Sequence, residues 1–133
     1  MATAFSRRLL FFLLMLLCSF VSANDTYQVL VVHAYNQEYP WAKSQHECFV
    51  EAFQIGTDSQ VNFSVEYLDT KRRLLSQDYL TQLVEYFTAK YNSFIPDLIY
   101  VTDDNGYLFA RDVLLSVFPG IPVLFSGVND YGV

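Results

Sequence analysis

The chain is poor in the residues from which most active centres are built. It holds two histidines, two cysteines, one tryptophan and five glycines in 133 residues. With only His33 and His46 on the nitrogen side, no metal site of the His/Cys type can be assembled, and neither a metal nor a cofactor is expected. Gly-x-Ser-x-Gly is absent, which removes the usual seat of a hydrolase nucleophile. His33 to Trp41, the turn after the first apolar run past residue 24, has no glycine, so a phosphate-cradling loop is missing too. Basic residues are scarce: eight Lys and Arg stand against fourteen Asp and Glu, for a formal charge of −6. Nucleic acid and anionic membrane surfaces attract positive charge, so neither is an expected partner. Lys71-Arg72-Arg73 is the one basic cluster, and three charges in a row fit a solvated loop better than a phosphate site.

Long apolar stretches are also few. The run from Leu9 to Val21 follows Arg7 and Arg8 and leads into Val21-Ser22-Ala23, the three parts of a secretory signal peptide covering residues 1–23. It is shorter than the roughly 18–20 residues that cross a bilayer, so cleavage after Ala23 is expected and a retained anchor is the alternative. Cleavage takes away two arginines and no acids, moving the charge from −6 to −8. It also removes Cys18, leaving Cys48 without an internal disulfide partner. Residues 24–133 are then expected to work outside the cytoplasm, in the periplasm or on the outer side of the inner membrane, and must be stabilised by a core. They suffice for one small domain.

What is present is a regular alternation. Gln28 to Val32 is a continuous β-branched run, the pattern of a strand buried on both faces. Trp41 to Ile55 carries Trp41, Gln45, Cys48, Phe49, Ala52 and Phe53 at helical spacing, which places Cys48 on the buried face. Val61 to Leu68 alternates apolar and polar residues, as an edge strand with one wetter face does. Ser76 is a natural N-cap for a helix to about Tyr91, with Leu80, Leu83, Val84, Phe87 and Tyr91 on one stripe. Leu98 to Val101 forms a third strand. Asp104 or Asn105 is expected to cap a third helix running to Val117, ended by Pro119-Gly120, and Pro122 to Phe125 forms a fourth strand. The order βαβαβαβ predicts an α/β fold, a three-layer doubly wound parallel sheet. Such a sheet normally supplies another helix after its fourth strand, so residues 24–133 are expected to be an incomplete N-terminal lobe.

In open α/β sheets ligands bind at the carboxyl ends of strands. Here those ends are polar throughout. The first carries His33, Tyr35, Asn36, Tyr39 and Trp41; the second Asp69, Thr70 and Lys71; the third Thr102, Asp103, Asp104 and Asn105; the fourth Ser126, Gly127, Asn129 and Asp130. Taken singly, most of these are ordinary turn and capping residues. Their recurrence at all four ends points to a polar ligand, with aromatic rings to stack on it and paired acids to hold a cation or amine. His33 reads as a buried structural residue.

Val-Leu-Val-Val-His33-Ala-Tyr35, Tyr39-Pro-Trp41, Glu66-Tyr-Leu-Asp-Thr-Lys-Arg72, Val101-Thr-Asp-Asp-Asn105 and Phe118-Pro-Gly-Ile-Pro-Val-Leu-Phe-Ser-Gly-Val-Asn-Asp130 follow one another in this order. Together they resemble the ABC-transporter substrate-binding-protein-like family, which has a periplasmic-binding fold of two α/β lobes. Many members form the extracytoplasmic sensor of a histidine kinase or diguanylate cyclase. The resemblance implies a clamshell of which this chain is the first lobe, closing on a small polar ligand with a second lobe of the same protein. Carried over by position, Tyr35, Asn36, Trp41, Asp69, Thr70, Asp103, Asp104, Asn105, Gly127 and Asn129 face the cleft, while Lys71 braces its loop against Asp69. The expected role is the non-enzymatic sensory input of a membrane signalling protein. Alternatives are the binding component of a transporter and an exported hydrolase pairing His33 with Asp103 or Asp104.

Overall fold

A computed structural model describes residues 26–130, so the expected leader at residues 1–23 lies outside the described residues. Four strands and three helical stretches alternate: β1 (Thr26–His33), α1 (Pro40–Ile55), β2 (Gln60–Tyr67), α2 (Gln77–Lys90), β3 (Leu98–Thr102), α3 (Asp103–Phe109) and β4 (Val123–Ser126). A π-helical segment, Ala110–Leu114, and a last α-turn, Leu115–Val117, prolong α3. The strands pair in parallel throughout, in the order β2-β1-β3-β4. This is an α/β fold on a four-stranded parallel sheet. The chain leaves β1 in one direction to reach β2 and returns past it to β3, so the topological switch point falls between the carboxyl ends of β1 and β3.

Strand parity divides the core in two. Leu30, Val32, Ile99 and Val101 point to the side of α2 and α3, where they meet Leu83, Phe87, Phe109, Val113 and Leu114. Phe87 and Phe109 are essentially excluded from solvent, and burying side chains of this size stabilises by about 1.5–3 kcal/mol each. Val29, Val31 and Tyr100 point the other way, towards Phe49 and Phe53 of α1. There the Phe49 and Tyr100 rings stack with centroids 3.8 Å apart.

Several local expectations are corrected by this packing. Cys48 is exposed, and so are Trp41 and Ala52. The apolar stripe of α1 is wider than the surface it covers: Phe49 and Phe53 reach the core, whereas the Trp41–Cys48 edge overhangs β3 and β4. Leu124 lies 51 % exposed on that bare flank. Val84 likewise turns outward, at the margin of the α2 stripe that Leu83, Phe87 and Tyr91 bury. Ser76 caps α2 as its chemistry predicts, its hydroxyl accepting the Tyr79 N–H. Neither Asp104 nor Asn105 caps α3, because that helix starts directly at Asp103 with Thr102 in the cap position.

Candidate functional site

Parallel register assembles the first part of the site. His33 ends β1 opposite Tyr67 of β2 and Thr102 of β3, all three on the α1 side of the sheet. Its ring therefore stacks on Tyr67, centroids 5.2 Å apart. Nδ1 lies 3.2 Å from Thr102 Oγ1 and Nε2 lies 3.1 Å from His46 Nδ1 on α1. Both nitrogens are occupied, and the side chain is fully buried. Burial, and next the neighbouring His46, pull the His33 imidazole down to about 4, so it is neutral at physiological pH. His46 is lowered by burial as well. The pair ties the ends of β1 and β3 to α1 through an uncharged donor–acceptor chain.

Past the strand ends, the four loops are bonded to one another. Asn36 Nδ2 donates to Asp69 Oδ1 at 3.2 Å, joining the first loop to the second. The Thr70 hydroxyl donates to Ala34 O at 2.9 Å and accepts from Asn105 Nδ2 at 3.0 Å, so it ties the first, second and third loops. The Trp41 indole N–H donates to Asp103 Oδ1 at 3.0 Å across the switch point. Asp104 Oδ1 accepts the backbone N–H groups of Asn129 and Asp130 at 2.7 and 3.2 Å, fastening the fourth loop to the third. Nine of the ten residues expected at the cleft thus lie within one cross-braced edge: Asn36, Asp69, Thr70, Asn105, Trp41, Asp103, Asp104, Asn129 and Tyr35. Gly127 completes it at close quarters. A Cβ there would stand 2.6 Å from Gln45 Nε2 and 2.9 Å from Asp103 Oδ1 and push those side-chain ends aside, while φ +69° itself favours glycine.

The residues of this edge differ in what they leave available. Thr70 is buried and both of its hydroxyl bonds are internal, which makes it a strut rather than a ligand contact. Tyr35 and Asn36 are half-buried, Asn129 is exposed and Trp41 is 53 % exposed. Asp69 and Asp103 both hold left-handed backbones, at φ 53° and 62°, a conformation that Asp tolerates better than most residues. Asp103 is 5 % exposed. Its Oδ2 is buried without a hydrogen-bond partner among the described residues. Burial pushes its carboxyl up from the ordinary value, against the opposing pull of the Trp41 hydrogen bond and of the nearby Thr102 hydroxyl. Asp104, one residue on, moves the other way, held low by the two backbone N–H groups it accepts.

Lys71 corrects its expected role. Asp69 is braced by Arg72, at 3.4 Å, while the Lys71 ammonium sits over the Tyr35 ring, 4.6 Å from its centroid, and 5.4 Å from that of Tyr39. The two rings meet edge to face with centroids 5.0 Å apart. Burial raises the Tyr35 phenol, with the Asp103, Tyr39 and Asp104 charges adding to the shift. Sequence reasoning overlooked Gln45, whose Nε2 lies 3.4 Å from Ser126 Oγ, and His46. Both sit on α1 one or two turns beyond the loop, where helical spacing alone marks them as packing residues. Alongside this edge, a mostly apolar groove of about 450 Å³ runs down the bare flank between Trp41, Gln45, Cys48, Phe49, Tyr100 and Ser126. Among the described residues no three metal-ligating side chains cluster and no helix is long and apolar enough to cross a membrane.

Comparison of the chain with protein-family models, curated proteins and solved structures finds no match. Roles at this edge are therefore argued from geometry. It presents fixed hydrogen-bonding groups and aromatic faces, and both nitrogens of its one fully buried histidine are already engaged. That arrangement can hold and orient a polar molecule.

Proposed function

We propose that this chain is the N-terminal lobe of an extracytoplasmic small-molecule receptor, built like a periplasmic binding protein and serving as the sensory input of a membrane signalling protein. The observation that carries the reading is the cross-braced carboxyl edge. Four loops, each following a different strand, are bonded loop to loop and still present Trp41, Tyr35 and Asn129 there, with the carboxyl of Asp103 buried behind Trp41. Fixing polar groups before the ligand arrives lowers the ordering cost of binding. A hydrolase reading is less well supported, because His33 spends Nδ1 on Thr102 and Nε2 on His46 and keeps no nitrogen for an aspartate or a nucleophile. On this proposal the ligand lies between this lobe and a second one from the same protein, and closure of the two transmits the signal.

The test is a thermal melt of the full-length protein against amines, amino acids, sugars and nucleobases. A ligand at a hundredfold excess over its Kd adds about 2.7 kcal/mol and raises the midpoint. No shift with any class sinks the proposal. Binding that leaves kinase or cyclase output of the membrane-bound protein unchanged assigns the lobe to a transporter's carrier instead.

A further inference from the structure

The carboxyl edge already holds a cation. Lys71 is exposed, yet its ammonium is drawn over Tyr35 and Tyr39, and among the described residues these two rings are its partners. An alkylammonium over two tyrosine faces is the geometry by which proteins recognise organic cations. A second, independent feature asks for positive charge at the same place. The Asp103 side chain is 95 % removed from solvent, and its Oδ2 lacks a hydrogen-bond partner among the described residues. Asp103 is joined to the rings through Trp41, whose indole N–H it accepts and which follows Tyr39 by two residues, and the Tyr39 ring in turn meets that of Tyr35. The Lys71 and Asp103 charges act on one another across this cluster.

An anion drawn by helix N-termini would meet an acidic first turn at two of the three helices. The positive end of α3 carries Asp103 and Asp104 in its first turn. Ser76 caps α2, and Asp78 lies in its first turn. Only α1 has no acid in its first turn, and there Pro40 removes one of the free N–H groups.

We propose that this basin is an organic-cation site in which the Lys71 ammonium is an internal occupant, displaced by the ammonium group of an incoming amine that Tyr35, Tyr39 and Trp41 enclose and Asp103 neutralises. The inference rests on the ligand-binding proposal above and names its ligand class. Displacement is cheap, since Lys71 is solvent-exposed on a flexible four-carbon stem and regains hydration when it swings out. Lys71 then sets a threshold: a ligand must bind the rings better than the protein's own side chain does.

Trp41 makes this measurable. It is the single tryptophan of these 133 residues and its indole N–H rests on Asp103, so the part of the full-length protein's fluorescence that Trp41→Phe removes reports on the basin. The full-length protein is titrated with n-butylamine and tetramethylammonium, and with butyrate and n-butanol as the anionic and neutral counterparts. Saturable changes are expected with the two cations alone. Lys71→Met, which removes the competitor, tightens both about threefold to tenfold, and Asp103→Asn weakens both at least about tenfold. Lys71→Gln carries the same expectation as Lys71→Met at an exposed position, and keeps the test open if Asp103→Asn fails to fold. Saturation by butyrate that Lys71→Met abolishes overturns the proposal, as does weaker cation binding in either Lys71 variant. If sugars or nucleobases raise the melting temperature while neither cation moves the fluorescence, the cation class is wrong and the receptor reading stands. If no class of compound does either, both fall.

Discussion

The two faces of the sheet are built to different standards. On the α2–α3 face, Leu30, Val32, Ile99 and Val101 disappear beneath Phe87, Phe109 and Leu114. On the α1 face, three buried residues suffice, Val29, Val31 and Tyr100. Polar groups then continue that face to the carboxyl edge: His33 on Tyr67, His33 on His46 and Thr102, Trp41 on Asp103. The first face is held mainly by apolar burial, with a Glu66–Lys90–Tyr91 cluster at its β2 margin. The second is held by rings, hydrogen bonds and neutral imidazoles, and it is the one continuous with the candidate site. The main apolar core and the candidate site thus lie largely on opposite sides of one sheet.

That contrast can be broken in four ways. The largest effect belongs to the packed face: Phe109→Ala should cost about 3–5 kcal/mol in urea unfolding, whereas Phe49→Ala on the half-covered face should cost clearly less. Equal losses would mean that the two faces are equally committed. Next comes acid. The His33 imidazole is near 6.5 when unfolded and about 4 when folded, so the native state disfavours its charged form. The stability it supplies is complete above about pH 6.5 and falls as pH drops towards 4, by about 3 kcal/mol in all. His46 shares in this loss, so a urea-midpoint profile reports the pair rather than either residue. His33→Gln should remove most of the slope, and an unchanged profile would place the acid sensitivity elsewhere.

Glycine substitutions test the seam between core and site. Gly127→Ala meets both a left-handed backbone and contacts under 3 Å with Gln45 and Asp103, while Gly120→Ala at φ +81° meets only open space. The first should cost about 2–3 kcal/mol and disturb Trp41 fluorescence. The second should cost about 1 kcal/mol and leave that signal unchanged. The smallest effect is Arg72→Ala: its 3.4 Å contact with Asp69 is exposed, and removing it should change stability by less than about 0.5 kcal/mol. A larger loss would show that this loop bears more than the surface ion pair.

The packed face was readable from sequence because β-branched runs and helical stripes report burial directly. Ser76 was readable because capping chemistry is local. The α1 face was read less well, since its stripe is set by what lies above the sheet: nothing in the spacing of Cys48 or Trp41 says that β4 stays uncovered there. The site followed the same division. Position at strand ends found the residues that form the edge, but not how Asp103 and Asp104 divide their work. Helix α3 starts two or three residues earlier than capping logic expects, burying the first acid and sending the second across to the fourth loop. Arg72 takes the role expected of Lys71 for a related reason. With Asp69 at positive φ, Arg72, three residues on, rather than Lys71, two residues on, lies on its carboxylate.

The left-handed backbone at Asp103 bears on how this protein can change over generations. Few residues other than Gly, Asn and Asp sit comfortably at φ 62°, so the choices open at this position are few, and only one of those three is charged. A single step from Asp to Asn keeps the shape and erases the charge. On the receptor proposal, descendants of one gene could drift between charged and neutral ligands at this codon while the sheet beneath is left undisturbed.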